Sequence, residues 1–382
     1  MTVVVVTGLG LVSALGSRDN ATWHKLLNQE SAIAMAQPFP DLAPRPLAMI
    51  GDRPASLREL TRQLVLETLE DADMTPPLPD LGIVVGSSRS AQGSWEAIAG
   101  RFLTGDPEFP NLSNCLDYLP DLPARMAAQL TGTQGIVQAP MNACNTGMWA
   151  IAQGYELIRC GYAQQVLAGA IEAPITPLTL GGFTQMGALA KTGCYPFDRD
   201  REGLVLGEGG AFLLLESLES AQQRQASIYG HILGAAFTSD AYHLSAPKPD
   251  RMSAAIAIKT CLERSGLTPS SIDYIHAHGT STPLNDAAES QLIQHLFPAT
   301  VPVSSTKGAT GHTLGASGAL GIAFSLMALK HQILPPCVGL REPEFNINVV
   351  RAARSQPIQH CLCLSFAFGG NNGAIALGNN IN

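Results

Sequence analysis

Short β-branched or small apolar runs alternate along the chain with longer stretches whose apolar residues recur at helical spacing. Val3 to Val6 predicts a buried strand emptying into Thr7-Gly-Leu-Gly-Leu-Val-Ser-Ala-Leu-Gly16. Gly8 and Gly10 predict a tight strand-to-helix turn there, with close backbone packing. Ala21 to Gln29 predicts a helix, and the proline-rich passage from Gln37 to Pro54 an irregular surface. Ser56 is placed to cap a helix to about Ala72, with Leu57, Leu60, Leu64 and Leu69 on one face. Leu81 to Ser88 predicts a buried strand ending in small residues. Gly105 to Pro123, with four prolines, predicts a long loop, and Ala124 to Leu130 a helix.

The second half repeats this grammar. Thr68 to Gly86 aligns without a gap on Cys261 to Gly279 at a constant offset of 193, with Leu, Glu, Thr, Pro, Asp and Gly coinciding at six of nineteen positions. An unbroken register through helix, turn and strand favours duplication over chance amphipathic likeness. The segment around Cys144 and the segment Ser304 to Phe324 form a looser pair, each a small-residue loop opening a helix that is apolar nearly all round and therefore buried. The expected fold is α/β, with two duplicated βαβ-type halves packed together. The first, 1–225, carries Cys144 and the second, 226–382, carries His278 and His312.

With 46% hydrophobic and 14% charged residues, the 382-residue chain can bury a large core. A net charge of −8 without a long basic block argues against a nucleic-acid surface. Its start lacks the basic n-region and longer apolar h-region of a secretory signal, and no apolar run approaches the span of a bilayer, so a cytoplasmic location is expected. None of the eight cysteines shows CxxC spacing. The Gly8-Leu-Gly10 pair has Ser13 at the third glycine position of a dinucleotide fingerprint, which favours packing over cofactor binding.

Four loops carry the chemistry. Cys144 lies among small residues at the start of a helix, where the positive dipole end favours a thiolate. His276-Ala-His278-Gly-Thr280-Ser-Thr282 follows a short strand, at the ligand edge of an α/β sheet. Strand alternation would turn both histidine rings to one side, a geometry that also suits zinc, although no cluster supplies the remaining ligands. Lys307 and His312 precede the second buried helix, and Phe366-Ala-Phe368-Gly369-Gly370 forms a flexible turn near the end. Individually, each histidine could be a satisfied core residue, Lys307 an exposed cation and each phenylalanine core filling. Polar side chains in four small-residue loops at element ends are more than packing requires.

Ala143-Cys144-Asn-Thr-Gly147, Pro196-Phe-Asp-Arg-Asp-Arg-Glu-Gly-Leu-Val-Leu-Gly-Glu-Gly209, Thr238-Ser-Asp240-Ala-Tyr-His243, His278-Gly-Thr-Ser-Thr-Pro, Lys307 with Gly311-His312, and Phe368-Gly-Gly together resemble the β-ketoacyl-acyl-carrier-protein synthases. Their order matches the type I/II condensing enzymes, synthase II-like, of the thiolase-like superfamily, over nearly the whole chain. The resemblance implies a layered α-β-α-β-α fold. It also implies that Cys144 accepts an acyl chain from an acyl carrier protein, while His278 and His312 stabilise the enolate released from malonyl carrier protein. The Cys144 and Phe368 N–H groups would form the oxyanion hole. Lys307 and Glu289 would be an electrostatic pair, with Asp286 a further member. Thr280 and Thr282 would hold the pantetheine arm, and Phe368 would gate the tunnel on Gly369 and Gly370, with Phe366 and Leu204 beside the substrate. No cofactor is implied beyond the phosphopantetheine brought by the carrier protein. A dimer is implied, either with itself or with a related ketosynthase or chain-length factor.

The chain is shorter than is usual for that family, with the missing length between about Gln37 and Leu130. Leu204 replaces a commoner phenylalanine, His276 an asparagine and Asn371 a threonine. Arg58, Arg62, Arg125 and Arg201 are candidate docking cations. A non-elongating partner of the chain-length-factor kind would lack Cys144. A degradative thiolase would carry a second acid/base cysteine in the C-terminal loop, which Cys361 and Cys363 precede.

Overall fold

A computed structural model describes residues 2–17, 20–105 and 118–379. Most of the loop expected at 105–123 lies outside the described residues. β1 (Val4–Ser13) is longer than its β-branched start and runs straight through the two glycines. They mark a helix contact within a strand: a Cβ on Gly8 would come within 2.7 Å of the Ala72 Cβ, and one on Gly10 within 2.4 Å of Thr68 Oγ1. The expected close packing is present and the turn is not. The turn comes at Ala14 and Leu15, before β2 (Gly16–Ser17) and α1 (Asn20–Leu27). The passage read as irregular surface is partly ordered: β3 (Ala34–Ala36) pairs with β4 (Arg45–Leu47), and the Ala48 N–H bonds to Leu206 O at 2.9 Å. α2 (Leu57–Asp71) starts at Ser56, whose side chain accepts the Glu59 N–H at 3.4 Å, and buries Leu57, Leu60, Leu64 and Leu69.

Then follow β5 (Gly82–Gly86), α3 (Gln92–Leu103), α4 (Leu122–Thr131), β6 (Val137–Gln138), α5 (Thr146–Arg159), β7 (Gln165–Glu172), α6 (Pro177–Gln185), β8 (Gly209–Ser217) and α7 (Leu218–Gln223). The chain continues through β9 (Gly230–Ser239), α8 (Met252–Arg264), β10 (Tyr274–His276), α9 (Pro283–Leu296), β11 (Pro302–Ser304), α10 (Lys307–Thr310) and α11 (Ser317–His331). β12 (Ile333–Leu334), β13 (Asn348–Val349), β14 (Arg354–Ser355), β15 (His360–Ala367) and β16 (Asn371–Gly378) complete it.

The strand order is β13-β11-β10-β15-β16-β9-β1-β8-β7-β5-β6. It reads the same outward from the β9–β1 junction: first strand, last, next to last, second, third, with β13 added at one edge. The strand directions match as well. β5 is parallel to β6 and β7, as β10 is to β11 and β15, whereas the inner pairs are antiparallel. The aligned Gly86 and Gly279 lie in equivalent places. A Cβ on Gly86 would meet Pro140 O at 2.4 Å, just after β6, and one on Gly279 the Ser305 Cβ at 2.6 Å, just after β11.

α2 and α4 cover one sheet half, α8 covers the other, and α5 and α11 lie between, touching strands of both halves. This is the layered α-β-α-β-α arrangement. Every α11 residue from Ser317 to Leu329 is buried. The stretch Leu314–His331 is long and apolar enough by length and composition to cross a membrane, which corrects the sequence reading, and 89% of it is buried inside the protein. Small residues let the interior helices touch, bringing their leading loops together.

Candidate active site

Cys144 sits on the elbow that delivers β6 into α5. Ala143 is left-handed (φ 45°), the Asn145 N–H bonds to Asn142 O at 2.9 Å, and the Thr146 hydroxyl donates to Ala143 O at 2.7 Å while accepting the Asn142 N–H at 2.8 Å. The side chain faces a cavity of about 350 Å³ and is otherwise enclosed. Burial pushes its thiol up to about 11, outweighing the Lys307 charge, the Phe368 N–H directed at the sulfur and the Arg89 charge. The helix end therefore leaves the resting sulfur protonated, contrary to the expected thiolate.

His278 leaves the end of β10, and His312 leaves the loop after α10. Their rings meet edge to face at 5.4 Å and 85° on the wall of the same cavity. Burial, with Lys307 nearby, holds both imidazoles well below their ordinary pKa. Each is therefore neutral, with one N–H to donate. His276 parts from His278: its ring packs over Gly321 and contacts the Thr306 hydroxyl at 3.3 Å, and its pKa falls to about 3. The strand stops at His276, so alternation does not carry to 278. Among the described residues no group of three or more His, Cys, Asp or Glu is placed to hold a metal ion.

Lys307 and Glu289 stand behind the wall. The Lys307 ammonium donates to the His278 carbonyl, whereas Glu289 accepts the N–H groups of His278 at 2.7 Å and Gly279 at 2.8 Å. Their charges interact, as expected of an electrostatic pair, and each also fixes the His278 backbone separately rather than through a salt bridge between them. Burial raises Glu289 to about 7 and Asp286 to about 6. Asp286 acts at a distance from the cavity, accepting the N–H groups of Phe197 at 2.9 Å and Ser281 at 3.1 Å.

Leu204, Thr280, Thr282, Phe366, Phe368 and Gly370 also line the cavity, and the two threonine hydroxyls bond at 2.8 Å. Gly369 lies outside it, exposed, with φ +85°; Gly370 follows at φ +76°. The loop is pinned by Asp240 N–H to Gly370 O and Gly369 N–H to Leu244 O, both 2.7 Å. Of the candidate docking cations, Arg58 and Arg62 are exposed and Arg125 pairs with Asp121. Arg201 is instead held by Asp198 O at 2.8 Å and the Glu344 carboxylate, with only 6% of its side chain exposed. That withdraws it from docking.

Residues 55–221 match the model of the β-ketoacyl synthase N-terminal domain, and 229–341 that of the C-terminal domain. The chain belongs to the β-ketoacyl synthase family. The 3-oxoacyl-[acyl-carrier-protein] synthase 2 of Synechocystis sp. is 34% identical, over 98% of this chain and 97% of that one. A chain from the complex of a type II polyketide acyl-carrier protein with its hexaketide-bound ketosynthase superposes with a TM-score of 0.93 at 27% identity, over all of both chains. The ishigamide ketosynthase/chain length factor gives 0.91 at 27%, again over all of both. The protein is thus a condensing acyltransferase with the thiolase-like fold.

Arg251, on the cavity wall, and three further side chains escaped the sequence reading of this synthase. Glu172, fully buried at the end of β7, accepts the Ser87 hydroxyl at 3.0 Å and the Ser88 N–H. A carboxylate closing an apolar strand was its signal. Phe183 stacks on Phe368 at 6.1 Å, and the Ser365 hydroxyl donates to Cys144 O at 3.4 Å; neither has a local sequence signal.

Proposed function

We propose that the chain is a β-ketoacyl-acyl-carrier-protein synthase that elongates fatty-acid or polyketide/polyene chains through Cys144, His278 and His312. The observation that carries this reading is that one thiol and two neutral imidazoles, from opposite halves, face one cavity. Cys144 sulfur attacks the acyl thioester, its proton passing to the departing pantetheine thiol. The oxyanion is held by the Cys144 and Phe368 N–H groups. Malonyl carrier protein then enters, and His278 and His312 donate to its thioester oxygen. The bond to the carboxyl carbon breaks, CO2 leaves, and the electron pair forms an enolate. Its carbon attacks the acyl carbonyl, and collapse expels the Cys144 sulfur.

Thr280 and Thr282 hold the pantetheine amides, Lys307 and Glu289 fix the His278 backbone, and Phe368 moves on Gly369 and Gly370 as the gate. Phe366 and Leu204 shape the substrate walls. Phosphopantetheine arrives on the carrier protein, and the reaction asks for no resident cofactor. The halves divide at about residue 225, between β8 and β9. The enzyme works as a homodimer or beside a chain-length factor, as in the ishigamide ketosynthase/chain length factor pair. A cytoplasmic location is supported by seven described cysteines, all free thiols.

Incubation with acyl and malonyl carrier proteins should yield a carrier-bound 3-oxoacyl product two carbons longer than the primer. Absence of product across a panel of primers would instead favour the reading as a non-elongating partner subunit.

A further inference from the structure

Arg251 is a buried cation that no carboxylate pairs directly. It is 6% exposed, and its Nε and Nη2 atoms are enclosed without a hydrogen-bond partner. It lines the same cavity as Cys144, His278 and His312. Nearby carboxylates are already committed. Asp240 accepts the Lys248 N–H at 3.0 Å and Asn372 Nδ2 at 2.8 Å, and Glu289 holds the His278 and Gly279 N–H groups. Their charges act on Arg251, but no ion pair forms. A guanidinium does not neutralise itself when buried, so leaving it unpaired is expensive unless a ligand supplies the partner.

The backbone makes the placement more deliberate. Arg251 precedes α8 in a left-handed conformation, φ 52° and ψ 17°, which strains any residue with a Cβ. Its guanidinium carbon lies 5.3 Å from the centre of the Phe366 ring, and the same ring lies 6.1 Å from that of His278. Phe366 thus lies against both the guanidinium and the His278 ring, and Arg251, His278 and His312 border one cavity that a single substrate enters.

We propose that Arg251 binds the free carboxylate of the malonyl thioester, selecting the extender over a plain acyl thioester once Cys144 is loaded. The inference rests on the condensing reading above. The carboxylate is the anion that this substrate brings into the cavity, and a planar guanidinium takes it through paired N–H donors. The contact is made before CO2 is lost and so acts on binding. The bond that breaks, and the enolate held by His278 and His312, are unchanged by it.

Arg251→Gly tests this well, because glycine accepts φ 52° without strain and the fold should survive; a melting curve checks that. The two half-reactions are then measured separately on the full enzyme, with acyl transfer to Cys144 as the internal reference. The expected result is a KM for malonyl carrier protein raised about ten- to a hundredfold, little change in kcat, and an acyl-transfer KM within about twofold of wild type. Arg251→Lys should recover only part of the loss, since the ammonium is a point donor. An equal loss in both half-reactions would assign Arg251 to the pantetheine arm common to both substrates and overturn the proposal. No change in malonyl KM would overturn it too. Wild-type enzyme inactive in both half-reactions would instead count against the condensing reading itself.

Discussion

Gly147 and Ala319 meet where the interior helices cross: a Cβ on Gly147 would lie 2.8 Å from the Ala319 Cβ and 3.0 Å from its backbone nitrogen. One residue along each helix, a Cβ on Gly318 would lie 3.0 Å from that of Met148. This close approach sets the separation between the Cys144 elbow and the His312 loop. Overpacking it costs about 1–3 kcal/mol. Gly147→Val should therefore lower the urea midpoint and also slow condensation more than Cys144 alkylation, because the histidines move relative to the sulfur. A variant with unchanged midpoint and unchanged turnover would show that the crossing does not set the site.

The protonated resting thiol has a direct kinetic signature. With Cys144 at about 11, the thiolate fraction rises about tenfold per pH unit throughout the neutral and mildly alkaline range. The rate of iodoacetamide alkylation at Cys144, followed by peptide mass spectrometry, should climb from pH 7 to 9.5 without levelling. A plateau by pH 7.5 would mean that the helix end and the Lys307 charge overcome burial after all.

His276 makes the fold acid-sensitive. It protonates near 3 in the native protein against about 6.5 in an unfolded chain. As pH falls below 6.5 the unfolded state binds protons first, so the stability present above that value drains away down through about 3. His278 and His312 act in the same direction. His276→Asn should shrink the drop in Tm between pH 7 and pH 5 without abolishing it. An unchanged drop would remove His276 from the account.

Much of this was legible in the sequence because it rested on local pattern. The helix face Leu57, Leu60, Leu64 and Leu69, the buried α11, and the repeat ending at Gly86 and Gly279 all follow from periodicity or register. Gly8 and Gly10 misled because a glycine needed for helix contact looks the same as one needed for a turn. Lys307 and Glu289 were legible as an electrostatic pair, but only the fold shows that both also hold the His278 backbone. The expected Cys144 thiolate loses to burial, since desolvation depends on residues far along the chain. Arg251 had no sequence signal: a charged residue between Asp250 and Met252 reads as surface until the loop turns it inward.

The central claim is that the acyl chain is carried on Cys144, and intact-mass analysis after incubation with an acyl carrier protein tests it most directly. Wild-type enzyme should gain one acyl group, mapped to Cys144 and discharged on adding malonyl carrier protein, while Cys144→Ala gains none and still releases CO2 from the malonyl carrier. An equal acyl load on Cys144→Ala, or undiminished condensation by it, would contradict the account.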